Sequence, residues 1–246
     1  MRTLVIGDIH GYLETLDALL DAVALSTSDR LITLGDYVDR GPDSCGVLER
    51  LIQLQAVGTL IPLLGNHDEM MRETLRGDPL HHRAWMMFGG LATLASYGLT
   101  LDQCQQIPPS HRDFLESCHP WYETDTHLFA HATVDPKKPM SEQETHTLRW
   151  EKLHDPIQHV SGKTLVCGHT RQYDGWPTSW PGTICIDTGV YDGPGWLTCL
   201  ILERGEVVQA NRYGEIRRGS LAEPPENIAA NRLRFKRRKA ADADDF

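Results

Sequence analysis

Three short apolar runs near the start of the chain, residues 4–6, 31–34 and 60–64, lead to a glycine followed by a residue with a side-chain oxygen: Gly7-Asp8, Gly35-Asp36 and Gly65-Asn66. Short apolar runs ended by glycine read as strands buried on both faces, the pattern of a parallel sheet. Between them Leu13, Leu16, Leu20 and Val23 recur at helical spacing, and Val47, Leu48, Leu51 and Ile52 do the same. The opening is therefore two successive strand–helix–strand crossovers, and the expected fold class is α/β. In open α/β sheets ligands collect beyond the carboxyl ends of the strands, where all three glycine-ended motifs fall.

Residues 78–118 are less regular and predict helices, with Trp85, Met86, Phe88, Leu91 and Leu94 as buried candidates. By elimination they form a lid or side wall. Strand patterns return at residues 128–130, 164–167, 183–186, 197–202 and 207–210, the last two joined by a turn at Glu203, Arg204, Gly205 and Glu206. A second, more antiparallel sheet is implied. After Arg218 the character changes to Pro224 and Pro225, a basic run over residues 232–239 and an end rich in Ala and Asp. The expected organisation is one domain over residues 1–218 and a flexible tail over 219–246.

A chain of 246 residues, 40% of them hydrophobic, can bury one large core, and its net charge of −10 argues against a general nucleic-acid binder, which needs a broad basic surface. No apolar stretch is long enough to span a bilayer, and residues 3–6 run into Gly7 and Asp8 too soon for a signal peptide. Cys45, Cys104, Cys118, Cys167, Cys185 and Cys199 are scattered without a CxxC pair and read as reduced thiols. The expected location is the cytoplasm, with no membrane partner.

The chemistry lies in the loops. In GDIHG, residues 7–11, Asp8 and His10 offer one hard oxygen and one imidazole nitrogen, a pair that suits Mn, Fe or Zn; read alone, Asp8 equally caps the helix starting near Tyr12. In GDYVDRG, residues 35–41, Asp36 takes the same strand-end place and is the candidate bridge between two cations. Arg40 brings a fork that holds phosphate oxygens in bidentate fashion, although Asp39 and Arg40 also read as a turn ion pair. In GNHD, residues 65–68, Asn66 offers an amide oxygen and His67 a group able to donate a proton near neutral pH, or else an ordinary loop histidine. His131 and His169 end later apolar runs, LFAHA and LVCGHT, and add nitrogens at further strand ends.

GDIHG, GDYVDRG and GNHD in that order, with the later AHA, GHT and IDTGVY, resemble the phosphoprotein phosphatase family of metallophosphoesterases, over roughly residues 1–210. The small bacterial and phage serine/threonine protein phosphatases are the most similar branch, which also carries a tryptophan, a Gly-Gly pair and an SYG-like end to the helical insertion, here Trp85, Gly89, Gly90 and Ser96 to Gly98. The resemblance implies a central β-sandwich of two mixed sheets flanked by helices. It implies one metal on Asp8, His10 and Asp36, and another on Asp36, Asn66, His131 and His169, with manganese first and iron or zinc as alternatives. It further implies that Asp39 orients His67 and that two arginines clamp the phosphate together with Asn66. These are Arg40 and Arg149, with Arg171 as the alternative to Arg149.

The implied activity is phosphomonoester hydrolysis by direct attack of a metal-bridging hydroxide, on a phosphorylated serine or threonine of a protein or peptide. Asp68, where the family usually has glutamate, also occurs in symmetrical diadenosine tetraphosphate hydrolases, the alternative reading; Asp39 completes the DRG form of the protein phosphatases. A third reading keeps the fold as a phosphate-recognition module without chemistry. Met87 and Phe88 before Gly89 predict a greasy substrate rim.

Overall fold

The computed structural model describes residues 1–223 together with Pro225 and Ile228. Strands β1 (Thr3–Ile6), β2 (Arg30–Thr33) and β3 (Leu60–Pro62) pair in parallel, linked by helices α1 (Leu13–Ala22) and α2 (Ser44–Ala56). The two crossovers predicted from hydrophobic spacing are present. Asp43 caps α2 by accepting the Gly46 N–H at 2.8 Å. Helix α3 (Asn66–Leu75) starts directly from the third glycine motif, and α4 (Pro79–Phe88), α5 (Gly90–Ser96) and α6 (Pro109–Ser117) complete the predicted helical insertion. Asp78 accepts the Leu80 N–H at 2.8 Å, and Pro79 takes the first helical position, so α4 begins where local chemistry favours it.

Next come β4 (Tyr122–Glu123), β5 (His127–Phe129), α7 (Thr145–Arg149), β6 (Thr164–Cys167), β7 (Thr178–Trp180), β8 (Thr183–Cys185), β9 (Leu197–Ile201), β10 (Glu206–Ala210) and β11 (Ile216–Ser220). Two mixed sheets result, ordered β11-β10-β9-β1-β2-β3 and β4-β5-β6-β8-β7. The architecture is the expected β-sandwich flanked by helices, with a correction to its wiring. Strands β9 and β10 do not build the second sheet; β9 adds antiparallel to β1, and the second sheet has the parallel run β5-β6-β8 at its centre. The reason lies in β1, whose free side takes the apolar β9 strand in register from Leu4↔Ile201 to Ile6↔Cys199.

Alternation along the strands divides the core. Val5, Ile32, Phe129, Val166, Ile184 and Leu200 face one another between the sheets, while Leu4, Ile6 and Leu31 turn to the outer helices α1 and α2. Leu128, Leu165, Cys167 and Cys185 line the outer face of the second sheet. Strand β11 runs through residue 218, and Ile228 is buried in the inter-sheet core, so the domain extends past the boundary expected there. The polar IRRGS sequence of this edge strand hid it. The basic run over residues 232–239 lies outside the described residues. All six cysteines are free thiols, and among the described residues no helix is long and apolar enough to cross a membrane.

Candidate metal and phosphate site

Six strands deliver polar side chains to one end of the sandwich. Asp8, His131, His169 and Asp187 each stand two residues beyond β1, β5, β6 and β8, and Asp36 and Asn66 follow β2 and β3. The backbone there is left-handed: His10 (φ 49°), Asp36 (φ 53°), Asp39 (φ 74°), Arg40 (φ 69°) and His169 (φ 58°) hold positive φ, and Ala24 is the one other described non-glycine residue to do so. Such residues cost of order 1–3 kcal/mol each unless the surroundings hold them. Asp68 does so for Asp36, its carboxylate accepting the N–H groups of Asp36 (2.7 Å), Tyr37 (2.8 Å) and Gly65 (3.0 Å). The second and third motifs are thereby tied together.

The Asp36 carboxylate lies between two imidazoles, with Oδ2 3.5 Å from His10 Nε2 and Oδ1 3.4 Å from His131 Nε2. Each histidine donates Nδ1–H to a backbone carbonyl, His10 to Val38 (2.9 Å) and His131 to Leu34 (2.8 Å), which turns the Nε2 lone pair inward. His169 is set the opposite way, with Nε2–H on the Trp150 carbonyl (3.1 Å) and Nδ1 left as the lone pair. Burial pushes His10 and His131 down, and burial with the neighbouring His131 pushes His169 down to about 3, so all three are neutral near pH 7. Asp8 accepts the His169 N–H (3.2 and 3.3 Å) instead of capping α1, whose first turn has no side-chain cap. Burial, with Asp187 and Asp36 nearby, raises the Asp8 carboxyl well above its usual value.

This donor set fits divalent cations. Ligand atoms of Asp36, His131 and His169 lie within 4.8 Å of one another, as do those of His10, Asp36 and His67. Asn66 Oδ1 meets His131 Nε2 at 3.0 Å, although both present lone pairs once the Nδ1–H of His131 is engaged with Leu34. A cation shared by the two resolves that conflict, and three buried carboxylates, Asp8, Asp36 and Asp187, need positive charge. Neutral imidazoles with carboxylates and an amide oxygen suit borderline ions of the Mn, Fe and Zn type.

His67 is engaged elsewhere. Its Nδ1–H donates to Asp39 Oδ2 at 2.6 Å, and its Nε2 accepts from Arg40 at 2.9 Å. Asp39 is fully buried, and its other oxygen accepts from Trp85 Nε1 (2.8 Å) and Thr93 Oγ1 (2.7 Å), so α4 and α5 hold the carboxylate that holds the imidazole. Gly89 between those helices has φ 126°, and a Cβ there would sit 3.1 Å from the Arg40 nitrogen, which glycine alone accommodates without strain. Arg40 also donates to His10 Nε2 (2.9 Å) and lies 4.1 Å from the Tyr191 ring centroid.

A cleft of about 250 Å³ is lined by Asp8, Asp36, Arg40, Asn66 and His67, with Phe88, Trp150 and Tyr191 as rings and Lys152, His169 and Asp187 on the remaining wall. Arg149, expected as the second clamp, is not among the residues lining that cleft. It is buried and ion-paired with Glu69, whose other oxygen accepts from Trp150 Nε1 at 2.7 Å, so it seats the end of α7 on α3. Arg171 is ion-paired with Asp192 and is likewise not a lining residue. The second cation of the cleft is Lys152, whose Nζ donates to the His169 carbonyl at 2.8 Å. Sequence reasoning missed Lys152 because it favoured guanidinium chemistry over position. It missed Asp187 as a site residue although the two-residue offset shared with Asp8, His131 and His169 marks it.

A family model described as calcineurin-like phosphoesterase matches residues 1–173. A symmetrical bis(5'-nucleosyl)-tetraphosphatase of Pseudomonas fluorescens is 46% identical over 69 residues, covering 28% of this chain and 24% of that protein. Its namesake in Nitrosomonas europaea is 31% identical over 139 residues, covering 55% and 46%. The chain thus spans less than half the length of these curated relatives. Among solved structures, one described provisionally as a diadenosine tetraphosphatase superposes with a TM-score of 0.62 at 24% identity, over 89% of this chain and 93% of the other. A cold-active protein-tyrosine phosphatase of a psychrophilic Shewanella gives a TM-score of 0.62 at 15% identity, over 88% and 80%.

Proposed function

The chain belongs to the calcineurin-like phosphoesterase family, and from that premise we propose that this metallophosphoesterase hydrolyses a dinucleoside tetraphosphate, splitting the central phosphoanhydride into two nucleoside diphosphates. The observation that carries the reading is a cleft in which two cations, Arg40 and Lys152, stand among the rings of Phe88, Trp150 and Tyr191 beside the metal-type donor set. The names of the curated relatives support the same substrate class. They move the expected substrate away from a phosphoprotein.

Asp8, His10 and Asp36 would hold one divalent cation, and Asp36, Asn66, His131 and His169 a second, manganese being the first choice. When bound, the pair supplies Lewis-acid activation of water and neutralises phosphoryl charge. Arg40 and Lys152 bind non-bridging oxygens of the scissile phosphate and stabilise the charge that develops in line. In its doubly protonated form His67 gives the Nε2 proton to the departing oxygen, that proton taking the place of the Arg40 contact, while Asp39 holds Nδ1–H and so favours the imidazolium. Phe88, Trp150 and Tyr191 give the cleft an apolar rim. Scattered free thiols suit a reducing compartment, the cytoplasm in this reading.

A second reading, a serine/threonine protein phosphatase, has one observation in its favour. A diphosphate leaves without much help from an acid, whereas an alkoxide needs its proton, and the 2.6 Å Asp39–His67 pair is an arrangement that delivers one. Manganese-loaded protein is therefore assayed on diadenosine tetraphosphate and on a phosphothreonine peptide in parallel, with His67→Asn beside the wild type. Preference for the dinucleotide, with only a modest loss in the variant, is the expected result. Preference for the peptide, abolished in His67→Asn, would overturn the dinucleotide assignment in favour of the second reading, and inactivity on both would overturn both.

A further inference from the structure

Beyond the cleft, guanidinium groups and aromatic rings alternate outward from the phosphate clamp. Arg40 lies 4.1 Å from the Tyr191 ring centroid, Arg171 lies 5.8 Å from the same ring, and Arg171 lies 4.9 Å from the ring of Tyr173. Contacts within about 6 Å are the range of cation–π attraction. Arg171 is not a loose surface side chain: it packs over Gly189, where φ is 65° and a Cβ would meet its Nε at 2.6 Å, and its charge is already paired with Asp192. What it offers is its flat face. Tyr173 lies against that face and is 86% exposed, so most of the surface of a large ring is open.

We propose that Tyr173, carried on Arg171, is a nucleobase platform, the outer subsite for the nucleoside of a substrate whose phosphates lie at Arg40. A polyphosphate chain engaged at Arg40 passes Tyr191 and brings its base over Tyr173, whose exposed face stacks with any base. Since Asp192 already neutralises Arg171, the subsite selects for a flat ring and not for a further phosphate. The proposal deepens the dinucleotide reading and rests on it for the substrate class. A base–aromatic stack on this ring corresponds to roughly tenfold in affinity.

The test is calorimetric titration of ADP and of inorganic pyrophosphate into manganese-loaded wild type, Tyr173→Ala and Tyr173→Phe, with KM for diadenosine tetraphosphate measured alongside. Wild type and Tyr173→Phe should bind ADP about tenfold more tightly than pyrophosphate. Tyr173→Ala should bring the two ligands to parity with pyrophosphate affinity unchanged. ADP affinity equal in wild type and Tyr173→Ala, or a loss shared by both ligands, would overturn the subsite. Failure to hydrolyse the dinucleotide with the ADP advantage intact would overturn the substrate reading alone.

Discussion

His67 is gripped at both ring nitrogens, by Asp39 and by Arg40, while Asp36 sits between His10 and His131. The two residues should therefore fail differently. On a phosphomonoester, His67→Asn keeps its metal content and loses about 10²–10⁴ in kcat, whereas Asp36→Asn loses metal as well, read by metal analysis of the purified variants. Lys152→Ala, which removes a cation from the cleft wall, should cut kcat/KM at unchanged melting temperature. Arg149→Ala should instead destabilise by about 1–3 kcal/mol, because buried Glu69 loses its short ion pair and keeps only the Trp150 N–H and Arg72 at 4.0 Å; denaturant unfolding of both variants separates the roles. Strand-end residues such as Asp8, Asp36, His131 and His169 were legible because a glycine- or alanine-punctuated apolar run announces them. Arg149 and Lys152 are three positions apart, and only the end of α7 decides which faces the cleft.

Helices α4 and α5 act on the site through hydrogen bonds to Asp39, from Trp85 and Thr93. Trp85→Phe keeps most of the ring packing and removes one donor to a buried carboxylate. Melting should fall by a few degrees and kcat by more than KM changes, since losing such a bond costs about 1–3 kcal/mol. At the opposite end of the sheet, Arg2 donates to Asp29 at 3.0 and 2.6 Å, and that hydrogen bonding holds the Asp29 carboxyl below its usual range. Because the folded value is depressed, this pair stabilises fully above the unfolded carboxylate value and loses its contribution as pH falls through the folded one. The gap in urea stability between wild type and Arg2→Ala should thus narrow as pH falls below the unfolded carboxylate value of about 4, leaving the part due to the Arg2 bonds to the Val23 and Ala24 carbonyls. Interior strands were readable in advance from their apolar runs. Of the edge strands, β3 was readable from its apolar run, whereas β4, β7 and β11 were not, because their residues are partly or fully exposed and correspondingly polar.

Two mixed sheets, one built from both ends of the described chain and the other from its middle, meet at a single cleft, and a cation held there would link them. Ligand binding that favours the folded form stabilises by about 2.7 kcal/mol at a hundredfold excess over Kd. Manganese-loaded protein should then melt roughly 5–10 °C above the chelated form, by calorimetry. An equal melting point in the two forms would mean that no cation bridges the sheets. The strand order also shapes biosynthesis. Strand β1, which leads to Asp8, lies between β2 and β9, and β9 begins only at Leu197. A growing chain therefore emerges from the ribosome with its first strand exposed along one edge until nearly two hundred residues have been made. That bare edge is where stalled or truncated translation products should stick to one another, and where a chaperone holding the nascent chain would earn most.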